Sequence, residues 1–182
     1  MLKYAQHRLK GNLMAQQIKT IGRNTLIDID GYAEAIPAKV DTGADRSSIW
    51  ASSLHIDDDG VLSFELFSPE SPYYTGKKIA KKHFKVSVVR SSNGHAQIRY
   101  RVQIPVTIMG RKIRATFSLS DRSRNQFPIL LGRKTLHKKF VVDVSQTSVR
   151  MSKVPMKSKE LYKEFLKNPQ KFHKKYHFKS LK

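Results

Sequence analysis

The stretch AIPAKVDTGADRSSIWA, residues 35–51, decides how the rest of the chain is read. A short apolar approach, AIPAKV, runs into Asp41-Thr42-Gly43-Ala44, and after Asp45 and Arg46 the chain returns to apolar sequence in SSIWA. That pattern is strand, sharp turn, strand. Gly43 permits the turn, the Thr42 hydroxyl offers a hydrogen bond to lock it, and Asp41 is presented at the end of the strand. Alone, Asp-Thr-Gly is the composition of an ordinary β-turn, so its meaning depends on its surroundings.

Those surroundings favour β structure throughout residues 25–149. TLIDIDG alternates and closes on a glycine, and FKVSVV and AQIRYRVQIPVTI flank Asn93-Gly94, the strongest short hairpin signal in the chain. A second hairpin is expected at Gly110 within IMGRKI, followed by short strands in RKIRATFSLS, FPILLG and FVVDVS. Only RKTLHKKF, after Gly132, invites a short helix. Residues 55–83, with Asp57-Asp58-Asp59-Gly60 and SPESPYYTG, read as a long loop or inserted excursion. Many short strands and one small helix predict a mainly β barrel or sandwich.

The chain has 182 residues, which suits one principal domain rather than two large lobes. It holds 35 Lys and Arg against 14 Asp and Glu, a net charge of +21. Residues 1–24 carry five of these cations and no acid, residues 25–149 carry 19 against 12 acids, and residues 150–182 carry 11 against two. The expected organisation is therefore a basic N-terminal extension (1–24), a β domain (25–149) and a basic, partly helical tail (150–182). In that tail Ser158 is placed to cap a helix through Leu161, Phe165 and Leu166, and Pro169 to end or kink it. Phe172, Tyr176 and Phe178 stand among Lys and His beyond it. Such an excess of cations predicts attraction to polyanions, and aromatics among cations suit nucleic acid. With no cysteine, thiol catalysis, disulfide scaffolds and Cys-based zinc sites are excluded. No apolar run approaches the roughly 18 residues of a membrane span, and the N-terminal stretch lacks a signal-like apolar segment, so a cytoplasmic protein is expected.

Taken in order, DTGAD at 41–45, the hairpin around Ser91-Ser92-Asn93-Gly94 and Ile129-Leu130-Leu131-Gly132-Arg133 resemble the retropepsin-like aspartic proteases. RSSNG, LSDRS and FPILLGR look particularly like a bacterial group labelled ATP-dependent zinc proteases. The resemblance covers roughly residues 25–145 and implies a retropepsin-like acid-protease fold: a closed β-barrel with a flap hairpin and one short helix, here with basic terminal extensions. It further implies that Asp41 is the catalytic aspartate and that Thr42 and Gly43 hold its loop. Ser91, Ser92, Asn93, Gly94 and His95 then form the flap tip over the substrate. Ala44, Leu131 and Gly132 brace the loop, and Asp45 and Arg133 pair as carboxylate and guanidinium near a dimer interface. Two departures stand out: the stretch between Gly43 and the hairpin is longer than in compact retropepsins, and both termini are extended.

The implied reaction needs two carboxylates sharing a proton, one taking a proton from the attacking water and the other donating to the peptide carbonyl. The chain supplies one Asp-Thr-Gly, so the expectation is an aspartic endopeptidase acting as a homodimer with a shared site. Its substrate would be a peptide or protein, acidic if the charge selects it, and the basic tails offer contacts for nucleic acid. Neither a metal nor another cofactor is expected. There is no HExxH, His173 and His177 are four apart in a lysine-rich tail without an acidic neighbour, and Asp57–Asp59 lacks EF-hand spacing. No GxxxxGK[ST] phosphate loop supports ATP use. The alternative is a non-catalytic basic β-domain that binds RNA or another polyanion, which explains the charge but not the ordered motifs.

Overall fold

Alternation along AQIRYRVQIPVTI has a direct structural outcome: Val102, Ile104, Val106 and Ile108 are buried, while Gln103 and Pro105 face out. The computed structural model of the protein describes residues 17–90, 96–150 and 157–176. Eleven strands and three helices follow one another in the described residues. They are β1 (Lys19–Ile21), β2 (Asn24–Ile29), β3 (Ala33–Val40), β4 (Ser47–Ile56), β5 (Leu62–Leu66), β6 (Lys78–Lys81), β7 (Lys85–Arg90), β8 (Ala96–Ile108), β9 (Arg111–Ser120), β10 (Ile129–Leu131), α1 (Arg133–Leu136), β11 (Phe140–Val142), α2 (Lys157–Lys167) and α3 (Pro169–Tyr176).

Six strands close on themselves in the order β10-β3-β2-β8-β9-β4, with β4 pairing back onto β10. Closure removes the sheet edges that would otherwise offer unpaired backbone groups. The interior is filled by Ile27, Ile36, Ile49, Ile104, Phe117, Ile129 and Leu131, none more than 2% exposed. The fold is thus the mainly β, retropepsin-like barrel that the motifs imply, with α1 as its short helix. Both expected hairpins are present: β7 pairs with β8 up to Arg90 opposite Ala96, and β8 with β9 up to Ile108 opposite Arg111. Met109 and Gly110 between the last pair both have positive φ, 50° and 75°, the pattern of a type I′ turn.

Residues 55–83 differ from the excursion expected of them. They complete β4 and contain β5 and β6, which pair antiparallel in the order β4-β5-β6 and extend the sheet beyond the barrel. Buried Leu62, Phe64 and Leu66 hold this extension to the core. Asp57 makes the turn into it, its carboxylate accepting the Val61 amide at 2.8 Å. β1, within the stretch set apart as an N-terminal extension, pairs parallel with β11.

The chain divides into two compact units, Met1–Val149 and Arg150–Lys182. In the second, α2 ends at Lys167, just ahead of Pro169 as expected, and a new helix follows: Asn168 caps α3 through the Lys171 amide at 2.9 Å, and Pro169 begins it, since the first turn does not need its missing N–H. Lys175 bonds Glu164 across the two helices at 2.7 Å, and Tyr162, Phe165, Phe172 and Tyr176 form a chain of ring contacts.

Buried Asn24 ties the end of the first unit to the barrel. Its Oδ1 accepts the Ser148 and Val149 amides and the Thr147 hydroxyl, and its Nδ2 donates to the Val149 carbonyl. Asn24→Ala should cost about 2–3 kcal/mol, because the amides it leaves lose their partner in a part-buried site. Urea unfolding measures this. Asn24→Asp keeps the acceptor but sets an oxygen against the Val149 carbonyl, and should fall between the wild type and the alanine variant.

Candidate active site

Asp41 follows directly on β3, and Gly132 directly on β10. The two strands run parallel with Val40 opposite Leu131, so the turns that leave them emerge side by side. The Asp41 amide donates to the Leu131 carbonyl at 2.9 Å. Beyond that point the two turns zip together, the Arg133 amide to the Ala44 carbonyl at 2.8 Å and the Lys134 amide to the Asp45 carbonyl at 3.1 Å. Buried Ser47 accepts the Gly132 amide at 3.0 Å and shares a hydrogen bond with the Thr135 hydroxyl at 2.7 Å.

Only glycine fits at 132. Its backbone is extended, with φ −89° and ψ 171°, a conformation any residue adopts. A Cβ there would nevertheless lie 2.5 Å from the Arg46 carbonyl carbon and oxygen, where nothing flexible can yield. Gly132→Ala should therefore destabilise the protein by about 2–3 kcal/mol through overpacking alone. A thermal or urea melt checks this, and the loss should persist in an Asp41→Asn background because it does not depend on the carboxylate.

The Asp41 side chain folds back over its own turn. Oδ1 accepts the amides of Gly43 at 3.0 Å and Ala44 at 3.2 Å, while Oδ2 has no hydrogen-bond partner among the described residues. A Cβ at position 43 would come within 3.3 Å of Oδ1, so Gly43 keeps the carboxylate uncrowded. The half-buried Asp41 is thus held in one orientation by the loop it belongs to. Thr42 is exposed, and its hydroxyl makes no hydrogen bond to the described residues. It borders a recess of about 500 Å³ shared with Arg133, Leu136, Phe140 and Val142.

Asp45 and Arg133 come together, but loosely: their closest approach is 3.9 Å. The stronger partner is Lys134, whose Nζ lies 2.9 Å from Asp45 Oδ2, with Arg46 Nε at 3.4 Å. Hydrogen bonding from Lys134 holds the Asp45 carboxyl below the usual carboxylate range, with Arg46 adding to the effect. A lowered carboxyl contributes its stabilisation above the ordinary carboxylate pKa and loses it as pH falls through the lowered value. Lys134→Met should move the Asp45 titration back up toward the ordinary range, which side-chain carboxyl NMR shifts would follow.

Arg122 belongs to the LSDRS string that carries the resemblance, yet nothing in the sequence assigned it a role at this turn, whose Asp41 charge it feels. Its Nε donates to the Phe127 carbonyl at 3.1 Å and one terminal nitrogen to the Ser48 hydroxyl at 3.0 Å. Ser48 in turn is opposite Leu130 in the β4–β10 pair. Burial lowers the Arg122 pKa, the Arg99 charge lowers it further, and the Asp41 carboxylate opposes both. The expected flap tip, Ser91, Ser92, Asn93, Gly94 and His95, lies outside the described residues. On the strands leading to it, Val86, Val88 and Ile98 are 57%, 65% and 71% exposed, and Val88 stands opposite Ile98. Among the described residues no cluster of three or more His, Asp or Glu side chains is arranged to hold a metal ion.

Barrel and aspartyl turn together define the retropepsin-like class. Residues 20–153 match the family described as RimB-like, retropepsin-like aspartic endopeptidase RimB, and the chain belongs to that family. Among curated proteins it is 28% identical over 131 residues to a probable alpha-L-glutamate ligase of Shewanella pealeana, covering 70% of this chain and 29% of that protein. It is 26% identical over 112 residues to a protein of the same description from Desulfotalea psychrophila, covering 60% and 24%. The chain thus spans less than a third of the length of these curated relatives. A crystal structure of a Legionella pneumophila protein of unknown function (DUF785) superposes with a TM-score of 0.57 at 21% identity, over 71% of this chain and 95% of that one. That likeness supports the fold.

Proposed function

We propose that the protein is an aspartic endopeptidase in which Asp41 from each of two subunits activates one water between them. The observation that carries this reading is the Asp41 carboxylate, fixed through Oδ1 by the Gly43 and Ala44 amides with Oδ2 left without a partner among the described residues. Family membership supports the same chemistry. One carboxylate cannot both take a proton from water and donate one to the carbonyl oxygen. Two that share a proton can, since close like charges do not both ionise readily. The exposed Thr42 and the recess beside it are the face on which a second copy would bring its own Asp41 turn. The exposed strip of Val86, Val88 and Ile98 suits a hairpin that closes over a bound peptide, with residues 91–95 as its tip. The likeness to the group labelled ATP-dependent zinc proteases enters this proposal only through that aspartyl chemistry.

Acidic substrates are the second part of the proposal. The net charge of +21 favours them in general, and Arg122 favours them at the site, because it is a fixed guanidinium close enough to Asp41 to feel its charge. The relatives named as glutamate ligases are consistent with a glutamate-bearing substrate for this chain. A basic domain that only binds RNA leaves the aspartyl turn unexplained.

Asp41→Asn should abolish cleavage while preserving the fold and melting behaviour. Equal amounts of wild-type and Asp41→Asn subunits, fully exchanged, should retain roughly a quarter of the undiluted activity, since only wild-type pairs carry both carboxylates. Retention of half would mean independent sites. Arg122→Gln should lower kcat/KM on an acidic peptide about tenfold to a hundredfold and on a neutral peptide far less; equal losses on both would remove Arg122 from substrate selection.

A further inference from the structure

One large concavity of the first unit does not include the Asp41 turn. It is a groove of about 1060 Å³ walled by residues 80–85, by β8 and β9, and by residues around α1. Eight of its lining residues are Lys or Arg, and no Asp or Glu lines it among the described residues. Arg46 and Lys134 are committed to Asp45. The remaining six, Lys81, Lys82, Lys85, Arg101, Arg114 and Lys139, have no carboxylate within 4 Å among the described residues. The Arg101 Nε is buried without a hydrogen-bond partner among the described residues. Bringing six uncompensated cations together in one recess costs self-repulsion, which a bound polyanion relieves. Phe84 also lines the groove and is held by a T-shaped contact with Tyr100, ring centroids 5.6 Å apart at 89°.

We propose that this groove binds a single strand of nucleic acid. The cations on its walls take phosphates, and the immobilised Phe84 ring offers a surface for a base. That ring favours nucleic acid over an acidic polypeptide, since a carboxylate side chain gains nothing from stacking. It favours a single strand over a duplex, whose bases are already stacked. Residues 41–44 take no part in the groove, so a strand held here is not laid across the carboxylate, and the proposal stands apart from the protease reading.

The test measures fluorescence anisotropy of the full chain with oligouridylate and oligothymidylate of about twelve nucleotides, across a salt series, beside a polyglutamate peptide of equal charge. Preference between the two oligonucleotides tells RNA from DNA. Lys82→Ala combined with Arg114→Ala, both exposed side chains, should weaken oligonucleotide binding tenfold or more. It should also make the log–log salt slope shallower by about 1.4, two contacts at about 0.7 each. Phe84→Leu should weaken oligonucleotide binding several-fold with the slope unchanged, and leave polyglutamate binding as it was. Circular dichroism melts confirm folding of each variant. Affinity and slope unchanged in the Lys82/Arg114 variant would overturn the proposal by assigning binding to the tails. Polyglutamate that binds as tightly and is as sensitive to Lys82 and Arg114 would overturn it in favour of an acidic polypeptide.

Discussion

The parallel pairing of β3 with β10 is the constraint on which the rest of the structure depends. β10 is only three residues long, yet it bonds β3 on one side and β4 on the other, and so closes the barrel. Ile129 and Leu131 on it are fully buried, and side chains of that size contribute about 1.5–3 kcal/mol each by leaving water. Parallel strands need a crossover connection, and here it contains everything from β4 to β9. Barrel closure and assembly of the site are consequently one event. Val40 cannot meet Leu131 without bringing Asp41 to Gly132, and Gly132 can reach Arg46 only because it has no side chain.

That coupling explains why the aspartyl loop can be both exposed and well defined. Loops at a surface ordinarily gain little from packing. This one is tied by backbone bonds from Asp41, Arg133 and Lys134, and by the buried Ser47 hydroxyl beneath it. The exposed ion pairs around Asp45 add little next to these, because solvent screens charges so accessible. They orient Lys134 and Arg133, while the backbone zip and the glycine contact hold the geometry.

What was legible in the sequence was local. Alternation in AQIRYRVQIPVTI, the Asn93-Gly94 and Gly110 hairpin signals, and the glycines at 43 and 132 each act within a few residues, and a pattern of that range can be read from one chain. β5 and β6 escaped because Gly60, Pro69, Pro72 and Gly76 surround them with turn signals, and because LSFEL is too short to stand out until β4 lies beside it. β1 escaped for the same reason: three residues acquire strand character only from a partner more than a hundred positions away. At the site, Asp41 and its brace were visible as motifs. Lys134 as the main partner of Asp45 was not, since a lysine among 35 cations carries no spacing to distinguish it, and Arg122, though inside LSDRS, had no visible link to Asp41 some eighty positions away. Asn24 was hidden likewise, its four hydrogen bonds revealed only when residues 147–149 return to the barrel.

The charge can now be separated from the fold. Among the described residues the largest fully buried side chains are apolar and the buried polar residues are neutral, so the core of the barrel contains no lysine or arginine. Net charge governs association and solubility rather than fold, and a chain free to place its cations anywhere on its surface gains most by scattering them. In the first unit they are instead gathered: six without a carboxylate partner among the described residues share one groove, and Arg122 is pinned by two hydrogen bonds beside Asp41. Gathering like charges opposes folding. Over a core that does not require them, such clusters leave the chain's own electrostatics least favourable in the places where a bound anion would relieve them.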